Sequence, residues 1–186
     1  TSSPADVAPA LAAALDGAFA DGLGTRAVVV VKDGELIAER YADGFTKDTP
    51  QLGWSMAKSV TNLLVGRMAD QRAIALTDTD LRDDWARDER RDISVDDLLR
   101  MQSGLAWDET YDLGTAITKM LYLDGDMAAS AAAQPLVHAP GTFQQYSSGS
   151  TNIVCDRLLR TTRESANLPR IQLFAPLGLT SAVWEP

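Results

Sequence analysis

Two kinds of hydrophobic spacing alternate along the start of the chain. Between Asp6 and Ala20, Val7, Leu11, Ala14, Leu15 and Ala18 recur at helical intervals and predict an amphipathic first helix. Val28 to Val31 then form an unbroken β-branched run, the pattern of a strand covered on both faces. Asp33-Gly34 follows, a pair that favours a tight hairpin turn, and Leu36 to Tyr41 read as the returning strand.

The period changes after Ser55. Ala57, Val60, Leu63, Leu64 and Met68 lie at helical spacing, with Val65 widening the stripe, so this helix should be buried over much of its circumference. Ser94 followed by Asp97 reads as a capped helix start. Val95, Leu98, Leu99 and Met101 supply its apolar side, and Ser103-Gly104 end it. Asp126 to Ala133 predicts a further helix, then a turn at His138-Ala139-Pro140-Gly141. Ser150 to Arg160 predicts another, with Ile153, Val154, Leu158 and Leu159 inward. The chain therefore divides into a helix and hairpin (1–54), a mainly helical region (55–160) and a return segment (161–186). Two strands alone make a marginal sheet. Further strands are expected to come from a later part of a longer protein or from another chain.

Composition narrows the function classes. The 186 residues carry a formal net charge of −9, and 45% are hydrophobic, which suits a soluble globular domain with a real core. The acidity argues against nucleic acid as a partner, because phosphate binding needs a basic patch. No apolar run approaches a transmembrane length, and "TSSPADVAP" does not read as a signal peptide. The single cysteine, Cys155, lies in apolar "TNIVCDRLL" and reads as a buried small hydrophobe. One histidine and one cysteine leave little for a transition metal, and neither metal nor organic cofactor is expected.

The chemistry concentrates in "GWSMAKSV", residues 53–60, which supports two readings. Gly-x-Ser-x-Ala approximates the nucleophile elbow of α/β-hydrolases, but that motif needs a buried strand running into the serine and a histidine base. The preceding "TKDTPQLGW" is polar and contains Pro50, and His138 is the sole histidine. The second reading is Ser-x-x-Lys. Ser55 and Lys58 stand one helical turn apart, so their side chains share a face. A serine hydroxyl needs a base within hydrogen-bond reach, and a lysine can serve in its neutral form. The free N–H groups of the helix start can steady negative charge on an attacked carbonyl. Tyr146, in the polar loop of "PGTFQQYSSGSTNIV", could relay a proton between them and a leaving group.

Together the segments "VVVVKDGELIAERYADGF", "SMAKS", "ISVDDLLRMQSGLAWDETY", "PGTFQQYSSGSTNIV" and "LFAPLGLTSAVWEP" resemble the serine β-lactamase-like superfamily over nearly the whole chain. That superfamily includes class C β-lactamases, D-alanyl-D-alanine carboxypeptidases, esterases and 6-aminohexanoate-dimer hydrolases. The resemblance implies an α+β fold of β-lactamase/transpeptidase type and an acyl-enzyme mechanism on an ester or amide substrate. Ser55 would be the nucleophile, Lys58 the base and Tyr146 the second-motif tyrosine. Ser148 stands where the family's Tyr-x-Asn motif has asparagine, which points away from efficient β-lactam hydrolysis and toward the esterase and amide-hydrolase branch. Tyr111 of "WDETYD", Ser148 and Trp54 are the substrate-facing candidates. The family's third motif, a Lys-Thr-Gly or His-x-Gly-like triplet on a later strand, has no counterpart before Pro186. By the same resemblance the protein would be exported, and its C-terminal strands would complete the site. A fold-retaining sensor that acylates without turnover is the alternative.

Overall fold

The computed structural model describes residues 9–162 and 165–185. Asp6 and Val7 of the expected first helix lie outside the described residues. The chain falls into two compact units that divide between Leu52 and Gly53.

The first unit opens with α1 (Pro9–Ala18), which buries Leu15. Strands β1 (Ala27–Lys32) and β2 (Glu35–Tyr41) pair antiparallel. Asp33 and Gly34 both take positive φ, 53° and 81°, the type I′ geometry whose twist matches the flanking strands. The register slips between Val30 and Val31, so Val30 faces Ala38 while Val31 faces Leu36, and Ile37 is the extra residue of a bulge. The bulge leaves Ile37 and Ala38 adjacent yet both shielded. Arg40 ties β2 to α1 through Asp16 at 2.7 Å, and its guanidinium also lies over the Phe19 ring.

The valine run corrects one expectation. Val28 and Val30 are half-buried, but Val29 and Val31 are 55% and 60% exposed. Valine favours a strand whether or not both faces are covered. Among the described residues the sheet has these two strands and one shielded face.

The second unit is helical around one core. Its main elements are α2 (Met56–Asp70), α3 (Val95–Leu99), α4 (Ala116–Tyr122), α5 (Met127–Ala132) and α6 (Ser148–Thr162), followed by a π-helical turn at Arg170–Phe174. Helix α6 packs against α2, α3, α4 and α5, and its Ile153, Val154 and Leu158 are almost fully buried. The α5 side of this contact is built from alanines, Ala128, Ala131 and Ala132, which let the two helices approach closely. Trp85 is fully buried, and its indole N–H donates to the Ala132 carbonyl at 3.0 Å, so the ring costs no unpaired donor.

The helix starts show how local sequence sets the frame. Ser94 accepts from the Asp97 N–H at 3.1 Å while Asp97 accepts from the Ser94 N–H at 3.0 Å, a complete capping box. Asp126 caps α5 with a single bond, accepting from the Ala129 N–H at 2.8 Å. Helix α6 begins two residues before the expected Ser150. Ser147, buried, accepts from the Ser150 N–H at 3.0 Å and serves as its cap. Three other corrections concern faces and ends. Leu63 of α2 is 57% exposed, and Thr61 joins Leu64, Val65 and Met68 on the buried face instead. Leu159 of α6 is on the outer side. Helix α3 ends at Leu99, earlier than expected, and Met101 takes φ 60°. Cys155 is half-buried and touches Thr61 Oγ1, and its burial raises the thiol pKa. Among the described residues no helix is long and apolar enough to cross a membrane.

Candidate functional site

Ser55 stands at the N-terminus of α2 and Lys58 within its first turn. Ser55 is the residue before the first helical position, yet its side chain makes no capping bond. The N–H groups of Met56, Ala57 and Lys58 are taken by the carbonyls of Gly53, Trp54 and Ser55 at 2.9 to 3.1 Å. The tight turn thus caps itself and leaves the Ser55 hydroxyl for other contacts. It also engages most of the N–H groups that the sequence reading held available for an attacked carbonyl. Trp54, just before it, takes φ 44° and is 67% exposed. A left-handed tryptophan costs roughly 1 kcal/mol or more, and such strain persists only where surrounding contacts impose it.

The Lys58 Nζ lies 3.1 Å from Ser55 Oγ and 3.0 Å from Ser148 Oγ. Ser148 is the first residue of α6, so the starts of two helices face each other across the lysine. Tyr146 completes the group, with its ring face 4.7 Å from Lys58 Nζ, measured to the centroid. The Lys58 ammonium, and next the Ser55 hydroxyl, hold the Tyr146 phenol below its ordinary pKa.

The segment between α3 and α4 stitches these helix starts together. Gln145 N–H donates to the Met101 carbonyl at 2.8 Å and its side chain to the Trp107 carbonyl. Gly141 N–H donates to Gln102 at 2.8 Å, and Gly104 accepts from Val137 and His138. Gly104 has φ 77°, and a Cβ there would fall 2.1 Å from the His138 carbonyl oxygen, so no other residue fits. "LLRMQSGL" therefore supplies the backbone that holds the Tyr146 loop.

Glu109 is the charged residue that sequence reasoning missed. Its Oε1 accepts from Ser148 Oγ at 2.5 Å, and its Oε2 accepts from the Ser148 N–H at 2.9 Å and from the Trp107 indole N–H. The Trp107 ring in turn sits against Gly149, where a Cβ would fall 2.6 Å from its Cζ3. Nothing adjacent marks Glu109 within the acidic run "WDETYD". Gly149 inside a helix start was the available signal, since a glycine there usually permits a close approach. Tyr111, two residues on, is exposed, and burial and then the Glu109 charge raise its phenol pKa. The structure thus gathers Ser55, Lys58, Tyr146 and Ser148. Tyr111 sits beside Glu109, and Trp54 is turned outward next to Ser55.

The elbow alternative is overturned by this geometry. Residues 50–55 are coil and turn, with no strand leading into Ser55. The His138 ring stacks on Phe143 at 4.2 Å.

Residues 12–186 match the family model described as Beta-lactamase. The chain belongs to the Beta-lactamase family. Two solved structures share the fold of this Beta-lactamase-family chain. A "Putative 6-aminohexanoate-dimer hydrolase from Bacillus anthracis" aligns with a TM-score of 0.61 at 23% identity, over 77% of this chain and 41% of its own. A "putative beta-lactamase from Bacteroides dorei DSM 17855" aligns with a TM-score of 0.64 at 24% identity, over 83% of this chain and 46% of its own. The chain thus spans less than half the length of these structures. No curated protein matches it. The fold class expected from the sequence, α+β of β-lactamase type, is the one found.

Proposed function

We propose that this Beta-lactamase-family chain carries the acylation centre of a serine hydrolase that cleaves an ester or amide bond of a small-molecule substrate. One observation carries the reading: an uncapped, accessible Ser55 hydroxyl 3.1 Å from Lys58 Nζ, at a helix start. Ser55 Oγ attacks the carbonyl carbon while its proton passes to the neutral Lys58 amine. The tetrahedral intermediate collapses, the bond to the leaving group breaks, and Tyr146 donates the proton that group needs. Lys58 restores the Tyr146 proton. Water then attacks the acyl-enzyme, with the same groups taking and returning its proton. The Ser55 N–H, which no backbone carbonyl takes among the described residues, is available to the carbonyl oxygen. Trp54 and Tyr111 border the substrate.

Tyr146-x-Ser148 supports an esterase or amide hydrolase over an efficient β-lactamase. The Ser148 hydroxyl is already bonded on both sides, to Lys58 and Glu109, and offers no free amide to a substrate. The decisive experiment is labelling of the full-length protein with a serine-reactive phosphonate. Wild type should label and Ser55→Ala should not; equal labelling would overturn the assignment. A chromogenic short-chain ester then separates turnover from a burst without turnover, the signature of a sensor.

A further inference from the structure

Ser148 and Glu109 have a role that the acylation chemistry alone does not assign. A carboxylate can only accept, so the 2.5 Å contact fixes the Ser148 hydroxyl proton on the Glu109 side. With its proton committed, Ser148 Oγ faces Lys58 Nζ, 3.0 Å away, as an acceptor. Glu109 is held in register by two further donors, the Ser148 N–H and the Trp107 indole N–H, both on Oε2.

A neutral lysine amine has two hydrogens and one lone pair, and it must aim the lone pair at the Ser55 proton. A serine hydroxyl nearby is normally a rival, because it can rotate and donate into that lone pair. Glu109 removes the rival. Ser148 can then only receive one Lys58 N–H, which anchors the amine and leaves the lone pair free for Ser55. We propose that Glu109 and Ser148 form a positioning pair that directs the Lys58 lone pair to Ser55. The proposal rests on the serine-hydrolase reading above. Both would act on the reaction through Lys58, as positioning residues.

The pair predicts an unusual order of effects. In Ser148→Ala the amine loses its anchor but meets no rival donor. In Glu109→Gln the side chain faces two N–H donors at one end, so the amide turns its oxygen to them and its NH2 to Ser148. The Ser148 proton is then released toward Lys58 and occupies the base. The test measures the second-order rate of Ser55 phosphonylation, and kcat and KM for a short-chain ester, in the full-length protein. Losing one anchoring hydrogen bond should slow Ser148→Ala about tenfold. Losing the free base should slow Glu109→Gln about a hundredfold. Both losses should fall on kcat with KM little changed. Adding Ser148→Ala to Glu109→Gln should restore the rate to the level of Ser148→Ala alone. Ser148→Thr, which keeps the hydroxyl, should stay close to wild type.

A purely structural Glu109 gives the opposite pattern, with the double variant no faster than Glu109→Gln. That result, or a Glu109→Gln rate equal to wild type, overturns the pair while leaving the hydrolase reading intact. Labelling that survives Ser55→Ala overturns both. Should Glu109→Gln fail to fold, Ser148→Ala against Ser148→Thr still decides, because equal rates in those two overturn the pair.

Discussion

Gly149→Ala sets two well-measured effects against each other. In a helix interior, alanine is favoured over glycine by about 1 kcal/mol, which is an upper bound for Gly149, the second residue of α6. Against this, the new methyl would lie 2.6 and 2.8 Å from two Trp107 ring carbons and 2.9 Å from Ala131 Cβ. Neither obstacle is the free end of a flexible side chain. The indole is pinned by its N–H to Glu109, and Ala131 Cβ is fixed by the backbone of α5. Overpacking a core costs about 1–3 kcal/mol, and two rigid neighbours place this site near the top of that range. The net loss should be about 2 kcal/mol. Gly66, on the exposed side of α2, is the internal control, with nothing within 4 Å of its would-be methyl. Gly66→Ala should therefore stabilise by about 1 kcal/mol. Urea unfolding of the full-length protein reads both, as midpoint shifts of opposite sign at unchanged slope; with slopes of ~1–3 kcal/mol/M, the Gly149→Ala shift is roughly 1 M. A Trp107→Phe background should shrink the Gly149→Ala loss by freeing space. Two midpoints moving upward together would refute the argument, because the ring contact would then carry no weight.

Two other outcomes follow from the helix starts and the site. Ser94→Ala should cost about 1 kcal/mol, because the Asp97 N–H loses its acceptor, and it should leave phosphonate labelling in place in folded protein. Tyr146 should form its phenolate below the ordinary value of about 10, read as an ultraviolet difference between wild type and Tyr146→Phe. Since the folded value is depressed, its contribution to stability is present above the ordinary value and is lost as pH falls through the folded one. Lys58→Ala should move the titration back upward, because the lysine is the leading cause; an unmoved titration would contradict the arrangement of ring and ammonium.

Local signals were legible in the sequence where one or two adjacent residues decide the geometry. Asp33-Gly34 names its turn because both positions need positive φ, and Ser94 with Asp97 names its cap because the two bonds close within one turn. Ser55 and Lys58 were legible for the same reason, being one turn apart on a single helix. The helical period locates a stripe but not its centre, so it puts Leu63 on the buried face that Thr61 occupies. The valine run announced a strand, but strand preference says nothing about what covers each face. "YSSGS" offers several hydroxyls that could each cap a helix, and only burial of Ser147 selects the start of α6. Glu109 was illegible because Ser148, the hydroxyl it fixes, lies thirty-nine residues away and reaches it only when Gly149 of α6 packs against the Trp107 ring.

The lysine at the centre of the site bridges very different distances along the chain. Its partner Ser55 is three residues away, and the pair can meet as soon as the first turn of α2 forms. Ser148 is ninety residues away, and bringing such ends together costs about 4 kcal/mol of chain entropy before any contact repays it. A nascent helix could therefore present serine and lysine side by side long before the hydroxyl that anchors the amine arrives. Reactivity at Ser55 would then rise with the closing of the tertiary structure more than with the helix, so during refolding the rate of acylation would report the closing of this ninety-residue loop.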